Sequence, residues 1–164
     1  MKKIYFTFFK AFLGGGLAGV TLGEGYGLFM PFAITLLWSV SRYPWAGFCW
    51  GFIAILLSHK WLLALHPISW IGVNPELSLP IIILIWVFCG VFGGALVGIW
   101  SLLRNQFNFD RFSSHHRFEN KIIYAIFLSS IWGLGEEILS RGPLFWIGIG
   151  SSLLPDDRYL AGLA

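Results

Sequence analysis

Charge is what this sequence has least of. Only 12% of its 164 residues are Asp, Glu, Lys or Arg, where soluble domains carry roughly 25%. That shortage, with 57% hydrophobic residues and a mean hydropathy of +0.74, excludes an ordinary water-soluble domain. The net charge of +3 is spread between apolar runs and forms no basic stripe, so no nucleic-acid partner is implied. Cysteine is also scarce. Cys49 and Cys89 both fall in apolar runs, where a free thiol behaves as a small hydrophobe, and nothing in the sequence supports a disulfide between them. Four histidines are present, His59, His66, His115 and His116. The first two lie seven apart, and a single helical face could hold both. Without a carboxylate at ligand spacing they make a poor metal site, and no metal is expected. There is no phosphate-binding glycine loop, no Cys-x-x-Cys pair and no dinucleotide fingerprint, so no cofactor is implied. Ser113-Ser114-His115-His116 builds no nucleophile triad. The absence of a 20–50-residue repeat gives no support to an inverted-repeat transporter.

Long apolar runs take the place of all this. A helix crossing the hydrocarbon core needs about 20 mostly apolar residues. Five segments qualify or come close: 4–22, 25–40, 44–65, 79–103 and 121–139. A sixth apolar piece, 143–154, is too short to span and reads as re-entrant or interfacial. The expectation is an all-α fold, a polytopic transmembrane helical bundle forming a single domain over 1–164. The N-terminus, with Lys2 and Lys3 before an apolar stretch, resembles a signal peptide. Lys10 interrupts that stretch, and an uncleaved first span is the favoured reading.

Charge placement orients the spans, because cytoplasmic loops collect Lys and Arg. An inside N-terminus puts Lys2, Lys3, Lys10, Arg42, Arg104, Arg111, Arg117 and Lys121 on the inner side. Glu24, Glu76, Glu136, Glu137, Asp156 and Asp157 then face outward, joined only by the cations Lys60, Arg141 and Arg158. The N-terminus is expected to be cytoplasmic and the C-terminus to lie across the membrane. Trp38, Tyr43, Trp45, Trp61 and Trp70 suit interfacial aromatic belts.

In the fourth segment Gly90, Gly94 and Gly98 repeat a GxxxG spacing that lets helix backbones approach closely. Packing inside the bundle is the ordinary reading, and a homodimer face is the alternative. The most unusual stretch is 131–150, IWGLGEEILSRGPLFWIGIG. Ionisable groups at membrane depth are costly and mark functional candidates. Glu137 and Arg141 stand at i, i+4 and can pair on one helix face, leaving Glu136 about 100° around. Gly142-Pro143 should then end the helix. Interfacial anchoring and a substrate-facing site both remain open on spacing alone.

Two blocks carry a resemblance. Ala46 to Leu63 reads AGFCWGFIAILLSHKWLL, and Trp132 to Ala164 reads WGLGEEILSRGPLFWIGIGSSLLPDDRYLAGLA. Together they resemble the N-terminal membrane part of apolipoprotein N-acyltransferase. That family has a Gly-Phe-x-Trp-Gly opening, then a Trp with a Glu four residues on, a Gly/Pro break, an aromatic turn and a Leu-Ala-Gly-Leu-Ala-like run. The matching positions are Trp132, Glu136, Gly142-Pro143, Phe145-Trp146, Gly150-Ser151 and Leu160 to Ala164. A family proline between Phe145 and Trp146 is missing, and Pro143 comes earlier instead. The stretch from Glu24 to Pro31, at a short turn between the family's first two spans, matches less well.

The resemblance implies a protein of the bacterial inner membrane. In the family a periplasmic nitrilase-like domain with a Glu-Lys-Cys triad takes an acyl chain from phospholipid as a thioester. It passes the chain to the α-amino group of a lipoprotein's diacylglyceryl-cysteine, a two-step covalent transfer. Neither Cys49 nor Cys89, both within spans, suits the nucleophile, so no catalytic residue is assigned and the chain is not expected to be catalytic alone. Glu136, Arg141 and Trp146 are the candidate substrate-pocket residues, with Glu137 as the ion-pair partner of Arg141. The implied partners are membrane phospholipid, a lipoprotein substrate and a separately encoded nitrilase-like catalytic part. The first expectation is an N-terminal fragment of such an enzyme. A non-catalytic membrane protein binding lipid or a partner complex is the second, and a small transporter or channel subunit the third.

Overall fold

The computed structural model describes residues 2–107, 118–142 and 148–149. It is an all-α membrane bundle, with no strand among the described residues. Within those residues five α-helices follow one another: α1 (Lys2–Glu24), α2 (Met30–Val40), α3 (Pro44–Ser58), α4 (Pro75–Gln106) and α5 (Phe118–Ser140). Short 3₁₀ turns at Gly27–Phe29, Lys60–Leu65 and Ser69–Ile71 lie between them.

Local chemistry explains most of the boundaries. Gly25, at φ 79°, takes the left-handed conformation just past α1, and its N–H returns to the Thr21 carbonyl at 2.9 Å. Pro44 opens α3 behind an extended Tyr43, a position where the missing N–H costs nothing. Asn74 caps α4, its side-chain oxygen accepting the Glu76 N–H at 3.2 Å.

Three helical stretches are long and apolar enough to cross a membrane: Lys3–Glu24, Pro75–Gln106 and Ile122–Ser140. The segment expected over 44–65 is not one helix. It stops being α-helical at Ser58 and continues as the 3₁₀ turn Lys60–Leu65. At the break one carbonyl serves several donors. The Ile55 oxygen accepts the His59 N–H at 2.9 Å, receives the Ser58 hydroxyl at 3.1 Å and lies 3.2 Å from His59 Nδ1. At 15 residues α3 is about 22 Å long, shorter than the roughly 30 Å of hydrocarbon.

The packing is set by glycine. Gly15 faces the Trp50 backbone, Gly19 faces Ala54 and Gly23 faces Ser58, so α1 and α3 run parallel in matched register. Gly47 faces Ser101, Gly51 faces Gly93, and Gly90 meets Leu56 and Phe52, so α4 runs antiparallel to α3. Gly94 and Gly98 receive Phe48. A Cβ on Gly19 would sit 2.7 Å from the Ala54 carbonyl oxygen, so the small residue is required for this approach. Between the helices lies a core of Ala11, Ala18, Leu37, Trp50, Ala54 and Val97.

Polar residues gather at the two ends. Where α2 ends and α4 ends, the Arg104 guanidinium lies over the Trp38 ring, 4.3 Å from its centre. It donates to the Trp38 carbonyl at 3.3 Å and to the Ser41 hydroxyl. Asn105 donates to the Arg42 carbonyl at 2.9 Å. At the far end Lys60 and Glu24 pair at 2.5 Å, tying the C-terminus of α1 to the turn after α3. There too His66 Nδ1 lies 2.8 Å from the buried Ser78 hydroxyl, which accepts the Ile68 N–H at 2.9 Å. The His66–Pro67 peptide is cis.

Helix α5 is attached differently. It is joined to α4 by aromatic contacts and a few hydrogen bonds, and Leu128 is its one deeply buried apolar side chain among the described residues. Trp100 meets Trp132 edge to face at 5.6 Å and donates its indole N–H to the Leu128 carbonyl at 3.1 Å. Tyr124 donates to the Arg104 carbonyl at 3.1 Å.

Candidate functional site

The carboxylates of α5 diverge. Glu136 and Glu137 are neighbours on a helix, so their side chains leave it about 100° apart. Glu137 points outward. Its Oε1 accepts Arg141 Nε at 2.9 Å and Nη2 at 2.7 Å, with both side chains more than half exposed. Water screens such a pair, which adds little to stability. Glu136 is half-buried and turns toward the bundle. Its Oε1 accepts the backbone N–H of Ile149 at 3.0 Å. Gly148 passes so close that an added Cβ would meet Glu136 Oε2 at 2.8 Å. A carboxyl oxygen thus holds the returning chain against the helix.

Beside Glu136 is a recess of about 20 Å³ whose walls include Met30, Trp50, Gly51, Leu96, Trp132 and Ile149. Helices α1 to α4 all approach this carboxylate or its recess: α1 through Leu22, α2 through Met30, α3 through Trp50 and α4 through Leu96. Two buried indole nitrogens, Trp50 Nε1 and Trp132 Nε1, have no hydrogen-bond partner among the described residues. Trp132 stands one turn before Glu136 on the same face of α5.

On the other side of Trp132 and Ile149 opens a larger cavity of about 320 Å³ between α2, α4 and α5. Ile34, Leu37 and Trp38 line it from α2, Trp100 from α4, and Leu128 and Trp132 from α5. Ser129 supplies the one hydroxyl among its lining residues.

The structure therefore sets Glu136 inward and Arg141 with Glu137 on an exposed face. Trp146 and the rest of 143–154, apart from Gly148 and Ile149, lie outside the described residues. Gly90, Gly94 and Gly98 all face side chains of α3. Trp100 was not apparent as a site residue from the sequence. Its importance comes from a three-helix aromatic row, Trp38 to Trp100 at 6.0 Å and Trp100 to Trp132 at 5.6 Å. No spacing along the chain encodes that row.

No family model matches the chain, and no solved structure matches it. Its sequence is nevertheless close to several curated proteins. It is 49% identical over 163 residues to the apolipoprotein N-acyltransferase of Prochlorococcus marinus strain SARG, covering 99% of this chain and 33% of that protein. Identity is 48% over 152 residues with the apolipoprotein N-acyltransferase of Prochlorococcus marinus strain MIT 9313, covering 93% of this chain and 30% of the relative. For that of Parasynechococcus marenigrum strain WH8102 it is 44% over 154 residues, with 94% and 32% covered. The chain spans about a third of the length of these relatives. On this similarity, which runs through nearly every residue, the chain belongs to the apolipoprotein N-acyltransferase family.

Proposed function

We propose that this chain forms the N-terminal membrane part of an apolipoprotein N-acyltransferase assembly in the bacterial inner membrane. The assembly transfers an acyl chain from phospholipid to the N-terminal diacylglyceryl-cysteine of lipoproteins. The observation that carries this reading is the 49% identity over 163 residues with a protein of that name.

The role of the described residues is scaffolding and substrate admission rather than bond making. Cys89 is buried in α4, and Cys49 is packed within α3. The acyl-carrying thiol therefore comes from a nitrilase-like part that this bundle supports, whether on the same polypeptide or a separate one. Glu136 holds Ile149 and so fixes the chain that returns after α5, at the mouth where phospholipid or lipoprotein enters. Arg141, held by Glu137, offers a cation on the exposed face of that mouth. The end of the bundle bearing Arg42 and Arg104 faces the cytoplasm by the positive-inside rule, and the Glu24, Lys60 and Glu136 end faces the periplasm.

The test is mass spectrometry of lipoprotein N-termini in cells lacking this chain, with and without the chain restored. Loss of the third acyl group, and its return on restoration, is the expected result. Unchanged triacylation in the deletion refutes the proposal.

A further inference from the structure

We propose that the cavity between α2, α4 and α5 is a binding site for one acyl chain of an anionic phospholipid, drawn from the leaflet at the Arg104 end of the bundle. It is separate from the recess at Glu136, which lies beyond the shared wall of Trp132 and Ile149.

The chemistry of the walls selects hydrocarbon. Among the described residues no carboxylate, amine or histidine lines the cavity, and its surface comes almost wholly from Ile34, Leu37, Trp38, Trp100, Leu128 and Trp132. Water needs two to four polar partners to occupy such a space, and Ser129 supplies the one hydroxyl among the lining residues, so water is held poorly there. A dry void is also unfavourable, because its lining atoms lose dispersion contacts. In a bilayer the filler at hand is an acyl chain.

The size selects a single chain. The walls from Ala125 to Trp132 extend along α5 for about 10 Å. A cavity of about 320 Å³ is about twice the roughly 150 Å³ of an apolar cavity that admits benzene, room for a slender hydrocarbon chain laid along α5.

The rim selects the headgroup. Trp38 forms both the edge of the cavity and the platform for the Arg104 guanidinium. Arg42 follows four residues later, at the same end of the bundle. A tail lying along Trp38 and Trp100 toward Trp132 leaves its phosphate beside these cations, where a negative charge is favoured. Trp38 is itself part exposed, as an indole at the headgroup level is.

The experiment is native mass spectrometry of the purified chain released from nanodiscs of phosphatidylglycerol and phosphatidylcholine in equal amounts. The expected result is one phosphatidylglycerol retained per chain. Ala125→Phe fills the cavity from an exposed position on α5 and should lower that retention about tenfold, a difference of about 1.4 kcal/mol in affinity. Leu134→Phe, exposed on the same helix away from the cavity, should retain as much as the native chain. Circular dichroism checks that Ala125→Phe is folded, and Ser129→Leu serves as a second filling variant. Equal retention by the filling variants, or equal retention of the two lipids, overturns the proposal. Because the readout is binding, its failure leaves the acyl-transfer proposal standing, and loss of triacylation does not affect it.

Discussion

Replacing Gly51 by alanine should loosen the centre of the bundle. A Cβ there would press on the Gly93 carbonyl oxygen and stand 2.9 Å from the Gly93 carbonyl carbon and 2.6 Å from a Val97 methyl. The valine can rotate, but the carbonyl belongs to the backbone of α4 and yields only if the two helices part by about half an ångström or more. Overpacking of this kind costs about 1–3 kcal/mol. Against it stands the helix propensity gained when glycine becomes alanine, about 1 kcal/mol. The net is a destabilisation of up to about 2 kcal/mol. Gly16 provides the contrast, because no atom lies within 4 Å of a Cβ built on it. Gly16→Ala keeps the propensity gain without the clash and should stabilise by up to about 1 kcal/mol. The assay is reversible unfolding of both variants in mixed micelles, with the denaturant midpoints compared. If Gly51→Ala unfolds at or above the midpoint of Gly16→Ala, close backbone approach between α3 and α4 is not what holds them, and the reasoning fails.

Other perturbations follow from the same contacts. Glu136→Ala leaves the part-buried Ile149 N–H without its acceptor, a local cost of about 1–3 kcal/mol; amide exchange at Ile149 should quicken, and Glu136→Gln, which keeps a side-chain oxygen, should restore much of the protection. Arg104→Lys should destabilise by about 1 kcal/mol, since an ammonium cannot both stack on Trp38 and reach Ser41 with the same planar fork; chemical unfolding measures it. Asn74→Ala removes the α4 cap and should cost about 1 kcal/mol in the same assay. Glu24→Gln should cost under about 1 kcal/mol at low salt and nothing measurable at about 1 M salt, because the pair with Lys60 is exposed.

The sequence made the helices readable and their meetings less so. Hydropathy alone located α1, α4 and α5, because 20-residue apolar runs have few other uses. The 90–98 glycine spacing marked α4 as a packing surface but could not name α3 as its partner, which depends on Phe48 and Phe52 lying opposite. The break at Ser58 was hidden. Serine and histidine are tolerated inside helices, and their contacts with the Ile55 carbonyl appear only in the folded chain. At the site, spacing separated Glu136 from Glu137 by angle. It did not reveal which carboxylate faces inward, because that depends on where Ile149 returns. The cavity was invisible for a similar reason: Trp38, Trp100 and Trp132 are distant in sequence and meet only when α2, α4 and α5 assemble.

The parallel register of α1 and α3 has a consequence for biogenesis. A ribosome delivers helices in order, and α1 with α2 can form a hairpin as soon as both are inserted. The glycine face of α1 at Gly15 and Gly19 still has no mate at that moment, since Trp50 and Ala54 have yet to leave the exit tunnel. Until α3 arrives, lipid or an insertion chaperone must cover that groove. Helix α4 then closes on α3 from the other side, and α5, held mainly through Trp100, joins a core already complete. Ribosomes stalled before and after α3 should therefore yield α1 in two environments, open to crosslinking from the bilayer in the first and shielded in the second.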